Sequence, residues 1–133
     1  MIVVDTNLVV YLFVQGKGTS RAESVLAKDG VWVVPWLWRS EFRNCVVGLI
    51  RRGEMSLEDG ILLAEEAENW MEGREYTVHT AHVMELSLAS HCSAYDCEFV
   101  ALAEDLRIPL VTADRQVLRA FPSIAKAVDR FGV

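Results

Sequence analysis

The sequence has little cysteine, proline or glycine. Its three cysteines, Cys45, Cys92 and Cys97, are odd in number and show no CxxC spacing, which argues against a disulfide framework. A zinc site built from these thiols and nearby histidines would match no common zinc-finger pattern. We therefore expect free, buried thiols and a reducing, cytoplasmic setting. Three prolines and eight glycines form no linker, so we expect a single domain over residues 1–133.

Positive charge is also scarce. Thirteen Lys and Arg residues against 19 Asp and Glu residues give a formal net charge of −6. This excludes a protein that binds polyanions through bulk positive charge, but not an acidic protein that acts on nucleic acid through bound metal ions. The longest apolar runs, LVVYLFV and VWVVPWLW, fall well short of the roughly 20 residues that cross a bilayer, and MIVVD does not read as a signal peptide. We expect no membrane association.

Short β-branched runs alternate with segments of helical periodicity along the chain. The runs predict strands near residues 2–5, 31–34, 76–78, 109–112 and 125–129. Helical spacing predicts helices near residues 7–14, 19–29, 36–52, 56–71, 80–90, 95–106 and 114–121. We expect Ile61 and Leu62 to be among the apolar contacts of the fourth helix. Strands that are apolar on both faces and alternate with helices predict a doubly wound α/β fold with a parallel sheet.

Four acidic residues fall where such a sheet binds ligands, near the carboxyl ends of strands. Asp5 ends the first strand and Asp114 follows the fourth. Glu41 lies early in the helix after the second strand, and Asp96 lies in the first turn of the apolar segment AYDCEFVALAE. Acids gathered among packed residues repel one another and require cations. Ligands that are all oxygen favour Mg²⁺ or Mn²⁺ over zinc.

Each acid taken singly also has a purely structural interpretation. Asp5 and Asp114 could cap the helices that follow them. Asp96 could interact with the positive end of its helix dipole, and Glu41 could be an ordinary solvated helix residue. The placement of all four at one end of one sheet is what favours a metal site.

Three segments contain these four acids, the third of them holding both Asp96 and Asp114. They are MIVVDTN, VPWLWRSEFRN and AYDCEFVALAEDLRIPLVTADRQVL. Together they resemble the motifs of the PIN domain family, specifically its VapC-like toxin ribonucleases. The last segment is the most specific, because it resembles the family's third acidic motif, crossover helix and TxD motif in one run. The resemblance extends over nearly the whole chain.

The resemblance implies a Rossmann-like PIN domain with a five-stranded parallel sheet in the order 3-2-1-4-5. It also implies hydrolysis of RNA phosphodiester bonds that depends on Mg²⁺ or Mn²⁺, a homodimer and a cognate antitoxin protein. The catalytic, metal-binding acids of the family fall here on Asp5, Glu41, Asp96 and Asp114. Its supporting polar positions fall on Thr6, Asn7, Asn44 and Thr112.

Contacts to phosphates outside the acids have to come from scattered cations. Arg39 and Arg43 flank the helical acid and Arg115 follows the last one, so these three are candidates for RNA binding. The commoner role of such arginines is that of a surface residue or a carboxylate partner. Trp36 and Trp38 could stack on bases, line a protein interface or pack in the core.

The sequence thus predicts a metal-dependent endoribonuclease that acts as the toxin of a toxin–antitoxin pair. One alternative is a PIN ribonuclease of ordinary RNA maturation that has no antitoxin. Another is a PIN-fold module that binds RNA or protein without turnover, which the four intact acids disfavour. A phosphatase or phosphoacceptor domain would need a second Asp close to its nucleophile, and DTN offers no DxD motif.

Overall fold

The computed structural model describes residues 1–132 and contains one five-stranded parallel sheet. The strands are β1 (Ile2–Val4), β2 (Trp32–Pro35), β3 (Glu75–Tyr76), β4 (Leu110–Thr112) and β5 (Ala125–Ala127). The helices are α1 (Thr6–Phe13), α2 (Thr19–Lys28), α3 (Trp38–Arg51), α4 (Leu57–Met71), α5 (Thr80–Ser90), α6 (Ala94–Leu106), α7 (Arg115–Ala120) and α8 (Val128–Phe131). The strand order is β3-β2-β1-β4-β5, which confirms the predicted doubly wound α/β fold.

Strand β1 lies at the centre of the sheet. It pairs in parallel with β2, where Ile2 lies opposite Trp32, and with β4, where Val3 lies opposite Leu110. All three of its residues are buried, which is why the run is uniformly apolar instead of alternating. The carboxyl ends of β1 and β4 meet at one edge, where the backbone N–H of Asp5 donates to the carbonyl of Val111 at 3.2 Å.

Polar side chains fix the starts of several helices. Asp5 accepts from the backbone N–H of the third residue of α1, and Asp114 caps α7 in the same way. Ser56 and Ser93 cap α4 and α6 through their hydroxyl groups. Each cap accepts a hydrogen bond from a backbone N–H group that has no carbonyl partner within its own helix. Such a cap typically stabilises the folded protein by about 1 kcal/mol. The two acidic caps hold their carboxylates at the carboxyl edge of the sheet.

The helix and strand limits differ from the predicted ones by a few residues. Strand β3 is Glu75–Tyr76 instead of residues 76–78, and the last predicted strand stops at Ala127 because the short helix Val128–Phe131 follows it. The prediction that Ile61 and Leu62 make apolar contacts is wrong, since they are 49% and 61% exposed.

Helix α4 instead packs through a smaller face. Its buried residues are Gly60, Ala67 and Met71. A Cβ atom added at Gly60 would lie 2.8 Å from a methyl group of Val46, so glycine lets α4 approach α3 closely. This close approach turns Ile61 toward solvent.

The three thiols differ in burial. Cys92 and Cys97 are buried and free, as expected, whereas Cys45 is only half-buried, so the expectation of buried thiols holds for two of the three. None of the helices within residues 1–132 is long and apolar enough to span a membrane.

Candidate active site: an acidic cleft at the carboxyl edge of the sheet

A cleft of about 210 Å³ opens beside the ends of β1 and β4. All four predicted acids and all four predicted supporting residues line it. They are Asp5, Thr6, Asn7, Glu41, Asn44, Asp96, Thr112 and Asp114. No Lys or Arg among the residues that the structure describes lines this cleft. We call it the acidic cleft.

Asp5 is the most deeply placed acid. Its Oδ1 accepts from the backbone N–H of Leu8 at 3.1 Å, and its Oδ2 accepts from the hydroxyl of Thr112. Burial raises the pKa of Asp5, while these two hydrogen bonds act in the opposite direction and the charge of Asp114 adds to the rise. Because no cation compensates for burial, the folded protein favours a protonated Asp5 or a bound cation.

Glu41 and Asp96 reach the acidic cleft from the first turns of α3 and α6. The hydroxyl of Thr6 donates to Oε1 of Glu41 at 2.7 Å. Burial raises the pKa of Glu41 most, and the charges of Asp96 and Asp5 raise it further. Burial also raises the pKa of Asp96, to which the charge of Asp114 contributes. In three of the four acids, therefore, burial disfavours the charged carboxylate and no opposite charge in the cleft offsets this cost.

Asp114 is more exposed and is tied to Asp5 through Thr112. Its Oδ1 accepts from the backbone N–H of Val117 at 3.0 Å, and its own N–H donates to the hydroxyl of Thr112 at 3.0 Å. The same hydroxyl donates to Asp5, so one buried threonine sets the relative positions of two acids. The capping interpretation holds for Asp5 and Asp114, and it leaves acceptor capacity on both carboxylates free.

The donors of the acidic cleft fit a hard divalent cation. They are carboxylate, hydroxyl and amide groups, with the thiol of Cys45 beside them. Within residues 1–132 no three Asp, Glu, His or Cys side chains already converge as a ligand group. Converging on an ion requires the carboxylates to move together, and a cation favours that movement because it cancels their mutual repulsion.

Two side chains near the acids were not predicted from the sequence. Burial raises the pKa of Glu98, whose charge in turn contributes to the raised pKa of Glu41. Burial also raises the pKa of Cys45, which lines the acidic cleft beside Asn44. The available signal for Glu98 was a second acid in the apolar run of α6, two residues after Asp96.

The three arginine candidates do not line the acidic cleft. Arg39 donates from Nε and Nη2 to the carboxylate of Glu75 at 2.6 and 2.9 Å. Arg43 donates to Glu68 at 2.8 Å. For Arg39 and Arg43 the structure therefore favours the role of carboxylate partner. Arg115 is exposed at the start of α7.

The two tryptophans have different environments. Trp38 is fully buried, and its indole N–H donates to Glu75 at 2.7 Å. Trp36 is 48% exposed, and the guanidinium of Arg39 lies 5.1 Å from the centre of its ring. Trp38 is thus a core residue, whereas Trp36 keeps a free surface.

Comparisons with known proteins agree with this architecture. Residues 2–124 match the family model of the PIN domain. Ribonuclease VapC3 of Pyrobaculum aerophilum is 28% identical over 128 residues, which cover 92% of this chain and 96% of that protein. Among solved structures, PAE2754 from Pyrobaculum aerophilum has a TM-score of 0.77 at 16% identity and covers 98% of this chain and 92% of its own. FitAcB from Neisseria gonorrhoeae has a TM-score of 0.73 at 16% identity, with coverage of 94% and 96%.

Proposed function

The chain belongs to the PIN domain family, and from this membership we propose that it is a divalent-metal-dependent endoribonuclease and the toxin of a VapBC-like pair. One observation carries the proposal. A single cleft gathers four acids, burial raises the pKa of three of them, and no cation lines that cleft within residues 1–132. The similarity to a protein named Ribonuclease VapC3 supports RNA as the substrate.

Each of the eight predicted residues in the acidic cleft has a role in this proposal. Asp5 and Asp96 hold the metal directly, and Glu41 and Asp114 hold it directly or through bound water. Thr112 and Thr6 orient the carboxylates to which they donate, as supporting residues around metal ligands do. Two residues of the cleft, Asn7 and Asn44, offer amide groups to water or RNA. Bound Mg²⁺ or Mn²⁺ would supply an activated water and neutralise charge on the phosphoryl oxygens.

The charge of the protein also supports a metal-dependent ribonuclease. RNA is a polyanion, and the protein carries a formal charge of −6. Two bound divalent ions would bring that charge to about −2 and would place their positive charge where the acids lie. Metal binding and substrate approach are therefore coupled: the same acids that repel RNA in the free protein attract it once they hold cations.

A cleavage assay tests the proposal. Purified protein is incubated with tRNA and rRNA fragments in Mg²⁺, in Mn²⁺ and in excess EDTA, with the Asp96→Asn variant as a control for contaminating nucleases. We expect cleavage in either metal and none in EDTA or with the variant. Full activity in EDTA would contradict the metal mechanism. RNA binding without any turnover would favour a PIN-fold binding module instead.

We also propose that the protein is a homodimer. Helix α4 carries three large apolar side chains, Leu57, Ile61 and Leu62, that remain 64%, 49% and 61% exposed. Such surface favours association. Sedimentation at micromolar concentration should give twice the 14.9 kDa mass of one chain, and a monomer alone would count against this proposal.

A cognate antitoxin completes the proposal. A cationic side chain of such a protein would be attracted to the acidic cleft, where it would compete with metal and block the path of the phosphate. The product of a neighbouring small reading frame should bind less tightly as Mg²⁺ rises and when Asp5 or Asp96 is neutralised. The absence of any such reading frame would favour a ribonuclease of RNA maturation.

A further inference from the structure

A second cavity of about 550 Å³ lies between α1 and α3 and adjoins the acidic cleft. Asn44 and Cys45 line both cavities, so the two are direct neighbours on the surface. We call the second cavity the α1–α3 groove. Unlike the acidic cleft, it is lined by two cations, Lys17 and Arg52, beside apolar residues that include Val10.

The loop that carries Lys17 is tightly held. The hydroxyl of the buried Thr19 accepts from the backbone N–H of Gly16 at 3.0 Å and donates to the carbonyl of Tyr11 at 2.8 Å. A Cβ atom at Gly18 would lie 2.4 Å from the ring of Tyr11, so only glycine lets that ring pack against the loop. Lys17 therefore extends from a backbone whose position is fixed, and within residues 1–132 no carboxylate pairs with it.

Arg52 lies over the end of α3 and has one carboxylate partner among residues 1–132. Its guanidinium is 3.4 Å from the position that a Cβ atom of Gly48 would occupy, so it folds back along the helix. Its Nε donates to Glu54 at 3.0 Å, and both side chains of this pair are more than half exposed. Exposed ion pairs of this kind contribute little to stability, so a phosphate can replace Glu54 as the partner of Arg52.

We propose that the α1–α3 groove holds the single-stranded RNA that flanks the scissile phosphate, with Lys17 and Arg52 contacting its phosphates. This inference rests on the proposed function, because the acidic cleft must be where RNA is cut. A strand that leaves an acidic cleft needs nearby cations that are not already engaged. Arg39 and Arg43 are engaged by glutamates. Among the residues that the structure describes, the groove offers a lysine without a carboxylate partner and a weakly paired arginine, and it shares two lining residues with the cleft.

A binding assay without cleavage tests the groove directly. A fluorescein-labelled 12-nucleotide single-stranded RNA of mixed sequence is titrated by anisotropy at several salt concentrations. The buffer holds a constant concentration of Ca²⁺, which binds oxygen ligands and replaces Mg²⁺ so that the acids keep a cation while turnover is avoided. Each phosphate contact on a single strand contributes about 0.7 to the slope of log affinity against log salt. Lys17→Ala and Arg52→Ala should each lower the slope by about 0.7 and weaken binding roughly fivefold to tenfold at 50 mM salt.

Matched variants make the assay specific. Arg51→Ala removes the neighbouring arginine of the same helix end, which does not line the groove, and should leave slope and affinity unchanged. Glu54→Gln should strengthen RNA binding, whereas Arg52→Ala weakens it, because the change frees Arg52 from its carboxylate partner. Thermal melts confirm that each variant is folded.

Cleavage kinetics separate this inference from the proposed function. If RNA is cut, Lys17→Ala and Arg52→Ala should raise KM for the 12-nucleotide RNA and leave KM for a trinucleotide unchanged. If no RNA is cut but the salt slopes fall as expected, the groove is upheld and the ribonuclease proposal fails. Unchanged slopes and KM in both variants would overturn the groove as an RNA path. So would variants that lose only the binding of a neighbouring gene product, because the groove would then be a protein site.

Discussion

Two charged clusters that share helix α3 differ in how their charges are balanced. Arg39 and Arg43, one turn apart on α3, pair with Glu75 and Glu68. Glu41 lies between them in sequence but enters the acidic cleft. Two residues apart on a helix point in nearly opposite directions, so α3 separates a balanced cluster from an unbalanced one.

The clearest contrast is between Glu75 and Asp5. The side chain of Glu75 is only 2% exposed, and burial acts to raise its pKa, but hydrogen bonds from Arg39 and Trp38 hold the pKa below its usual value. Asp5 is also buried, yet its partners are a hydroxyl and a backbone amide, and its pKa is raised. Glu75, paired with a guanidinium, therefore contributes to the stability of the fold. Asp5 has no cationic side chain beside it, which indicates that its counter-charge is a bound ion.

Among the variants that test this contrast, Asp5→Asn should have the largest effect on RNA cleavage. We expect RNA cleavage to fall by more than about 100-fold, because even residues that only orient metal ligands contribute roughly 10–100-fold. In metal-free buffer the same variant should unfold at a higher temperature than the parent, since it removes one charge from a cluster of like charges. Cleavage rates and thermal melts measure the two effects. A melting temperature well below that of the parent would show that Asp5 serves the fold.

Thr6→Val addresses the hydrogen bond to Glu41 and nothing else in the acidic cleft. The change keeps the side-chain volume but removes the donor to Oε1. We expect metal affinity and cleavage to fall roughly 10–100-fold. When the cleavage rate is measured against Mg²⁺ concentration, the variant should mainly need more Mg²⁺ to reach half of its maximal rate. Activity equal to that of the parent at all metal concentrations would show that Thr6 does not position Glu41 for metal binding.

Glu75→Gln probes the balanced cluster. It removes the closer of the two carboxylates that pair with Arg39 and leaves only the longer 3.8 Å contact with Glu68, so the free energy of unfolding should fall by about 1–3 kcal/mol. RNA cleavage should stay within about twofold of the parent, because Glu75 does not line the acidic cleft. Urea denaturation and the cleavage assay measure both. A large loss of cleavage with an intact fold would place this cluster in the active site.

The pH dependence of metal-free stability should differ in sign between the two clusters. Acids with a raised pKa, such as Asp5, favour the folded state when protonated, so this contribution is present below about pH 4 and is lost as pH rises through the raised pKa. Glu75 has a lowered pKa, so its contribution is present above about pH 4.5 and is lost as pH falls. The gain from Asp5→Asn should therefore grow with pH, whereas the loss from Glu75→Gln should shrink toward low pH. Melts from pH 3.5 to 7 test both trends.

Much of the fold is predictable because its signals are local and agree with one another. Uniformly apolar runs marked β1, β2 and β4 as buried parallel strands, and capping residues marked the starts of α1, α4 and α7. The four acids were predictable as a group because strand ends of a parallel sheet meet at one edge. The resemblance to a family placed each of them by residue, which spacing alone could not do.

The remaining features depend on contacts between distant residues. The exposure of Ile61 follows from the close approach at Gly60, which the periodicity of α4 cannot show. The pairing of Arg39 with Glu75 joins residues 36 positions apart. Glu98 influences Glu41 through space across two helices. Each of these is a property of packing, and only Glu98 leaves a local signal, as a second acid in the apolar run of α6.

The central claim is that the unbalanced acids of the acidic cleft hold a divalent cation. A titration of Mn²⁺ followed by electron paramagnetic resonance measures this directly, because the signal of free Mn²⁺ is lost on binding. The account predicts stoichiometric binding to the parent and to Glu75→Gln, and strongly weakened binding to Asp5→Asn and Asp96→Asn. Equal binding to all four proteins, or none to the parent, would contradict it.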